Sequence, residues 1–163
     1  VDAAGNVYVT GESIGSSSNA DYATIKYDPG GNELWVARYN GPGNSNDQAA
    51  ALVVDAAGNV YVTGKNAGEK SDHSGYYTDY ATIKYDPDGN ELWVARYSGP
   101  GNSNAKAAAL AVDAAGNVYV TGGSGGDYVT IKLTQIGSDG GEGDGGRGGG
   151  EGGRGCFITA ITN

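Results

Sequence analysis

The eleven-residue phrase VDAAGNVYVTG occurs three times, at residues 1–11, 54–64 and 112–122, and this repetition constrains the fold more than any other feature. A second block, DYATIKYDPxGNELWVARYxGPGNSN, fills residues 21–46 and 79–104 and returns in part as DYVTIKL at 127–133. The period is uneven because one segment changes length between copies, spanning residues 12–20, 65–78 and 123–126. Insertions confined to one place mark a surface loop, since buried backbone cannot take up extra unpaired amides.

In the middle copy, residues 50–55, 59–64, 79–86 and 91–97 are short runs rich in Val, Ile, Thr, Tyr and Trp with turn residues between them, which predicts four strands. Asp86, Pro87, Asp88 and Gly89 carry the chemistry of a type I turn followed by a glycine bulge: proline presets φ at the second position and glycine accepts the left-handed one. Residues 2–5, 28–31, 55–58 and 113–116 repeat that grammar without requiring the proline. Each copy therefore reads as two hairpins in series, a four-stranded antiparallel meander.

Such a sheet is too small to stand alone in water. Its strands also place large side chains on both faces: Val60 and Val62 against Tyr61, Ile83 against Tyr85, and Trp93 against Leu92 and Val94. Both faces must then be covered by like neighbours. The expected fold is all-β, a partial β-propeller of about three blades, against about four to eight in a closed ring. A sandwich or a β-solenoid also satisfies two-faced burial. The repeats occupy residues 1–135, in units of about 1–48, 49–106 and 107–135. Residues 136–155 follow as a linker and 156–163 as a C-terminal segment.

The phrases VDAAGNVYVTG, DYATIKYDPDGNELWVARY and GPGNSN resemble the bacterial β-propeller repeat often called SBBP, over residues 1–133. That resemblance implies a large exported or surface protein with no shared catalytic residues. The chain has no methionine and opens inside a repeat, so it reads as a processed product or a fragment, without a leader to report on export. An arc of three blades leaves a bare face at each end, rich in Tyr, Val and Trp. Either further blades precede Val1 in a parent protein, or copies associate through those faces.

The formal charge of −9 argues against nucleic acid and anionic membranes, which need a basic footprint. No apolar run is long enough to span a bilayer, and the single cysteine, Cys156, excludes an internal disulfide framework. In residues 137–155, 12 of 19 are glycine and most others are Asp, Glu or Arg, the composition of a disordered, flexible spacer. Arg147 and Arg154 are outnumbered there by carboxylates, which disfavours an RNA-binding role. The Cys156-Phe157-Ile158 run after the glycines resembles a C-terminal sorting signal of exported bacterial proteins, which implies processing or modification at Cys156; the resemblance ends after Ile158.

Candidate sites are few. Asp86, Asp88 and Asn90 alternate their oxygens as in a short calcium loop, but turn chemistry accounts for the same residues. The pairs Asp28 with Glu33 and Asp86 with Glu91 read as turn and strand-end charges rather than a glycosidase pair. The one histidine, His73, has no nucleophile motif beside it. With Tyr76 and Tyr77 it lies in the longest variable loop, a mixture of aromatic, charged and hydroxyl groups suited to a glycan or protein ligand. The glycines at 122–126 precede no helix and hold no phosphate cradle. The expected function is a non-enzymatic extracellular or cell-surface scaffold for adhesion, binding or self-assembly, without a cofactor. The alternative is a piece of a larger propeller enzyme or carbohydrate-binding protein whose active residues lie elsewhere.

Overall fold

A computed structural model describes residues 1–15, 19–69, 75–99, 104–135 and 156–161. The described residues form strands and turns only, arranged as three antiparallel sheets. The first holds β1 (Val7–Ile14), β2 (Ala20–Tyr27) and β3 (Glu33–Tyr39), in that order. The second runs β4 (Gln48–Val54), β5 (Val60–Glu69), β6 (Tyr76–Tyr85), β7 (Glu91–Tyr97). The third holds β8 (Ala105–Val112), β9 (Val118–Ser124), β10 (Asp127–Gln135) and, at its outer edge, β11 (Cys156–Ile161). No helix among the described residues is long and apolar enough to cross a membrane, which leaves strands out of account.

The hairpins form where the turn residues place them. Gly5, Gly31, Gly58, Gly89 and Gly116 all take positive φ between 81° and 87°. In each turn the glycine amide donates to the carbonyl of the aspartate three residues earlier, at 2.9–3.1 Å. The β2–β3 and β6–β7 pairings shift register at Lys26/Tyr27 and Lys84/Tyr85, the bulges expected beside these turns.

The middle sheet is buried on both faces, and the period of two along each strand sorts its side chains. Val60, Val62, Ala81, Ile83 and Tyr85 pack with Tyr8, Tyr22, Ala37 and Tyr39 of the first sheet. Tyr61, Tyr80, Trp93 and Ala95 pack with Val118, Val120, Val129, Ile131 and Leu133 of the third. Ile83 and Tyr85 thus share one face instead of opposing each other, because residues two apart on a strand point the same way. Each buried Val or Leu side chain contributes about 1.5–3 kcal/mol, and with two covered faces the middle sheet supplies the largest share of the core.

Two expectations change. The longest variable segment is mostly strand: β5 and β6 continue in register to Glu69 opposite Tyr76, and residues 70–74 lie outside the described ones. Residues added in pairs to a hairpin satisfy one another's amides, so this insertion lengthens the sheet. The tail also enters the fold. β11 pairs with β10 from Gln135 opposite Cys156 to Thr130 opposite Ile161, in the edge position that β3 and β7 hold in their sheets. The third repeat lacks the ELWVARY strand, and an uncovered edge of β10 offers backbone donors and acceptors to any β-forming segment in reach. The glycine-rich residues between them, 136–155, lie outside the described residues.

Candidate functional site

The chemistry on display is that of recognition between sheets, built twice from the same residues. The Tyr22 hydroxyl of the first sheet donates to the Ala81 carbonyl of the second at 3.3 Å, and the Tyr80 hydroxyl of the second donates to the Val129 carbonyl of the third at 3.3 Å. Around the first contact, the Trp35 indole N–H and the Lys26 ammonium both donate to the Pro87 carbonyl, at 3.0 and 3.1 Å. A Cβ on Gly89 would stand 2.7 Å from the Trp35 ring, so glycine at that turn serves the neighbouring sheet as well as its own backbone. Arg96 adds a charge-assisted bond from Nε to the Tyr39 hydroxyl at 2.9 Å, with its guanidinium 5.6 Å from the ring centre. At the second contact Trp93 takes the place of Trp35, but among the described residues its Nε1 has no partner, since the third repeat departs from DPDG after Leu133.

Asp47 anchors the link from the first sheet to the second and carries no signal in the sequence beyond being one of few differences between copies. Its fully buried carboxylate accepts from the Gly41 amide at 2.6 Å, the Asn66 side chain at 2.7 Å and the Ala67 amide at 2.9 Å. In the next copy the corresponding residues are Ala105 and Ser124, so the carboxylate and the amide that faces it change together. Burial raises the Tyr22 hydroxyl far above its ordinary value, with the Asp47 charge adding to it, so this group is a permanent donor.

The residues considered for calcium form a closed hydrogen-bond set. Asp86 accepts from the Asp88 and Asn90 amides at 2.9 Å each through Oδ1, and from the Asn90 side chain at 2.9 Å through Oδ2. Asn90 therefore turns its NH2 group toward the carboxylate, while Asp88 stands exposed at the tip. No group of three His, Cys, Asp or Glu side chains suited to a metal ion occurs among the described residues. Asp2, Asp55 and Asp113 gain a further donor, the hydroxyl of Tyr8, Tyr61 or Tyr119, at 2.9–3.2 Å. Asn6 above all, then its amide, Tyr8 and Ala4, hold Asp2 down to about 2 against a desolvation cost. Burial first, then the Asp2 hydrogen bond, raises Tyr8 to about 12.

Of the recognition-loop residues, His73 lies outside the described residues. Tyr76 is 71% exposed at the start of β6. Tyr77 is half-buried, its ring lying across Gly68 with the hydroxyl near Gly43, so it ties the lengthened hairpin to the GPGNSN link. Asp28 and Asp86 have their carboxylates engaged by their own turns, apart from any pairing with Glu33 or Glu91. Cys156 sits at the end of β11 opposite Gln135.

No protein-family model matches this chain, and no curated protein matches it either.

Proposed function

We propose that the chain is a set of three consecutive blades of a β-propeller-type scaffold, non-enzymatic and displayed outside the cell or on its surface, that associates with itself through its outer sheet faces. The observation that carries this reading is the inequality of burial within one repeated pattern. Val60 and Val62 are fully buried beneath the first sheet, whereas Val7 and Val9, the same positions one repeat earlier, are 40% and 50% exposed. A surface that forms core wherever a neighbour exists gains free energy when one arrives. The SBBP-like phrases and the Cys156-Phe157-Ile158 run support the exported setting.

Sedimentation or light scattering of the full chain over a wide concentration range tests the reading. Masses that rise to multiples of the monomer are expected. A monomer at every concentration removes self-association. A glycan array with a calcium titration addresses the carbohydrate-binding alternative: a scaffold of this kind responds to neither, and saturable glycan binding transfers the function to Tyr76 and its neighbours.

A further inference from the structure

Two of the three sheets have a strand that the first one lacks. β4 lies along β5 and β8 along β9, both antiparallel, while among the described residues no strand lies along the matching edge of β1. The residues that meet across those two pairs recur. Ala49 stands opposite Gly64 and Ala107 opposite Gly122, each followed by a bulged alanine, and Leu52 and Leu110 stand opposite Val62 and Val120. β4 and β8 are therefore one kind of strand, alanine-rich with a leucine at a fixed place.

The glycine of VYVTG is the footprint of that strand. A Cβ on Gly64 would run into the Gln48 carbonyl and stand 2.8 Å from the Ala49 Cα; one on Gly122 would run into the Lys106 carbonyl and stand 2.7 Å from the Ala107 Cα. Only glycine lets the neighbouring backbone pass so close. Gly11 is the same residue in β1, is not among the glycines with positive φ, and would have nothing within 4 Å of its Cβ. The space that β4 and β8 fill beside their sheets is open beside β1. Val7–Ile14 also contain no proline or lysine, the residues that commonly blunt a free edge. Val7 and Val9, at the places of Val60 and Val62, are 40% and 50% exposed, so a leucine set opposite Val9 would cover apolar surface. Glu12 is exposed at the place of Gly123, the residue that faces Lys106.

We infer that the free edge of β1 is a peptide-binding site, which takes an extended, alanine-rich strand of another molecule in the register that β8 takes on β9. The ligand runs antiparallel to β1, with alanine opposite Gly11, leucine opposite Val9 and a basic residue opposite Glu12. Backbone pairing along the edge supplies the affinity, while the space at Gly11 and the charge at Glu12 select the sequence. The docked strand ends opposite Tyr8, because Val1 holds the place of Val112 and the turn after it is already closed, with the Asp2 amide donating to the Asn6 carbonyl at 3.1 Å. The site is separate from the outer sheet faces invoked for self-association and does not depend on them.

The probe is a capped, fluorescein-labelled peptide with the sequence of residues 104–111, NAKAAALA, added to the full chain at a dilution where light scattering gives a monomer. Fluorescence anisotropy is expected to show saturable one-to-one binding, and hydrogen exchange to show new protection in Val7–Ile14 and none in β5 or β9. Gly11→Val puts a side chain where the ligand backbone passes and should weaken binding about tenfold or more, without lowering the thermal midpoint, since no atom of the chain opposes it. Glu12→Lys sets like charges opposite each other and should weaken binding about fivefold. The exchange pattern of the parent carries the test even if a variant fails to fold. An absence of saturable binding overturns the inference. So does binding that Gly11→Val leaves unchanged and that alters protection in β5 or β9, which would mean that the peptide displaces β4 or β8. Protection of β1 that rises with protein concentration in the absence of peptide would make a second copy the occupant instead. Peptide binding and the mass of the chain are read separately, so a parent that stays monomeric yet binds the peptide keeps this site and loses only the self-association reading.

Discussion

The first and the middle sheets contain the same phrases, VYVTG and DYATIKY, in different surroundings. In the middle sheet Val62 and Ile83 press against the first sheet while Tyr61 and Tyr80 press against the third. In the first sheet Tyr8 and Tyr22 are buried too, yet among the described residues Val7 and Val9 on the opposite face meet no neighbouring sheet and stay 40% and 50% exposed. Alternation decides which side chains share a face. A neighbour decides whether that face is core. One sequence pattern therefore yields a two-sided core element in one place and a one-sided one in another.

The largest test of this contrast is a matched pair of truncations. Ile83→Ala should cost about 3 kcal/mol, since a fully buried side chain leaves a cavity between two sheets. Ile25→Ala, at the same position of the half-buried copy, should cost less than half as much in urea denaturation of dilute protein. Equal losses would mean that the outer face of the first sheet is covered after all.

The glycines give the next effect. Gly64→Ala forces a Cβ against the Gln48 carbonyl and the Ala49 Cα, both backbone atoms, and should cost about 2 kcal/mol. Gly11→Ala meets nothing and should leave the monomer's thermal midpoint unchanged or slightly raised. A similar drop for both would show that crowding is not what separates them.

Trp35 and Trp93 sharpen the comparison between the two inter-sheet contacts. Replacing either by Phe opens a similar space, but only Trp35 gives up a hydrogen bond, to the Pro87 carbonyl. Trp35→Phe should therefore be the more destabilising of the two, by about 1 kcal/mol. The opposite order in chemical denaturation would undo the assigned role of Pro87.

Acid probes what the sheets have in common. Asp2, Asp28, Asp55, Asp86 and Asp113 all hold their carboxyls below the ordinary 3.8, chiefly through the asparagine four residues on; at Asp55 burial opposes the shift and is outweighed. A carboxylate whose folded value is depressed stabilises the fold above its unfolded value and loses that contribution as the proton binds. Stability should be level above about pH 4 and decline toward pH 2, the region of Asp2, with Asp79, raised by burial, working in the other direction. Thermal midpoints that do not move between about pH 4.5 and 2.5, the interval chosen to bracket these groups, would remove the turn carboxylates from the stability of the fold.

The hairpins are legible in the amino-acid sequence because their causes are local. Glycine at the left-handed position, proline at the second turn position and alternating Val and Tyr act over a few residues, so Gly89 and Val60 to Val62 behave as their neighbours along the chain require. Less can be read where the partner is distant. Nothing near Pro87 in sequence says that its carbonyl meets Trp35, 52 residues away, and nothing near Asp47 says that it faces Asn66. Length variation between Lys65 and Thr78 reads as loop, yet an insertion can lengthen both strands of a hairpin together, and here it does.

What the sequence determined by itself was therefore the repeated unit: its strands, its turns and the two kinds of face that each strand presents. The tertiary structure alone decided how those faces were used: which valines became core, which carbonyl received which tyrosine, and that Cys156–Ile161 would fill the edge left open beside β10. The reason is physical. Turn geometry follows from the φ and ψ preferences of adjacent residues, whereas burial and edge pairing depend on surfaces brought together from far along the chain.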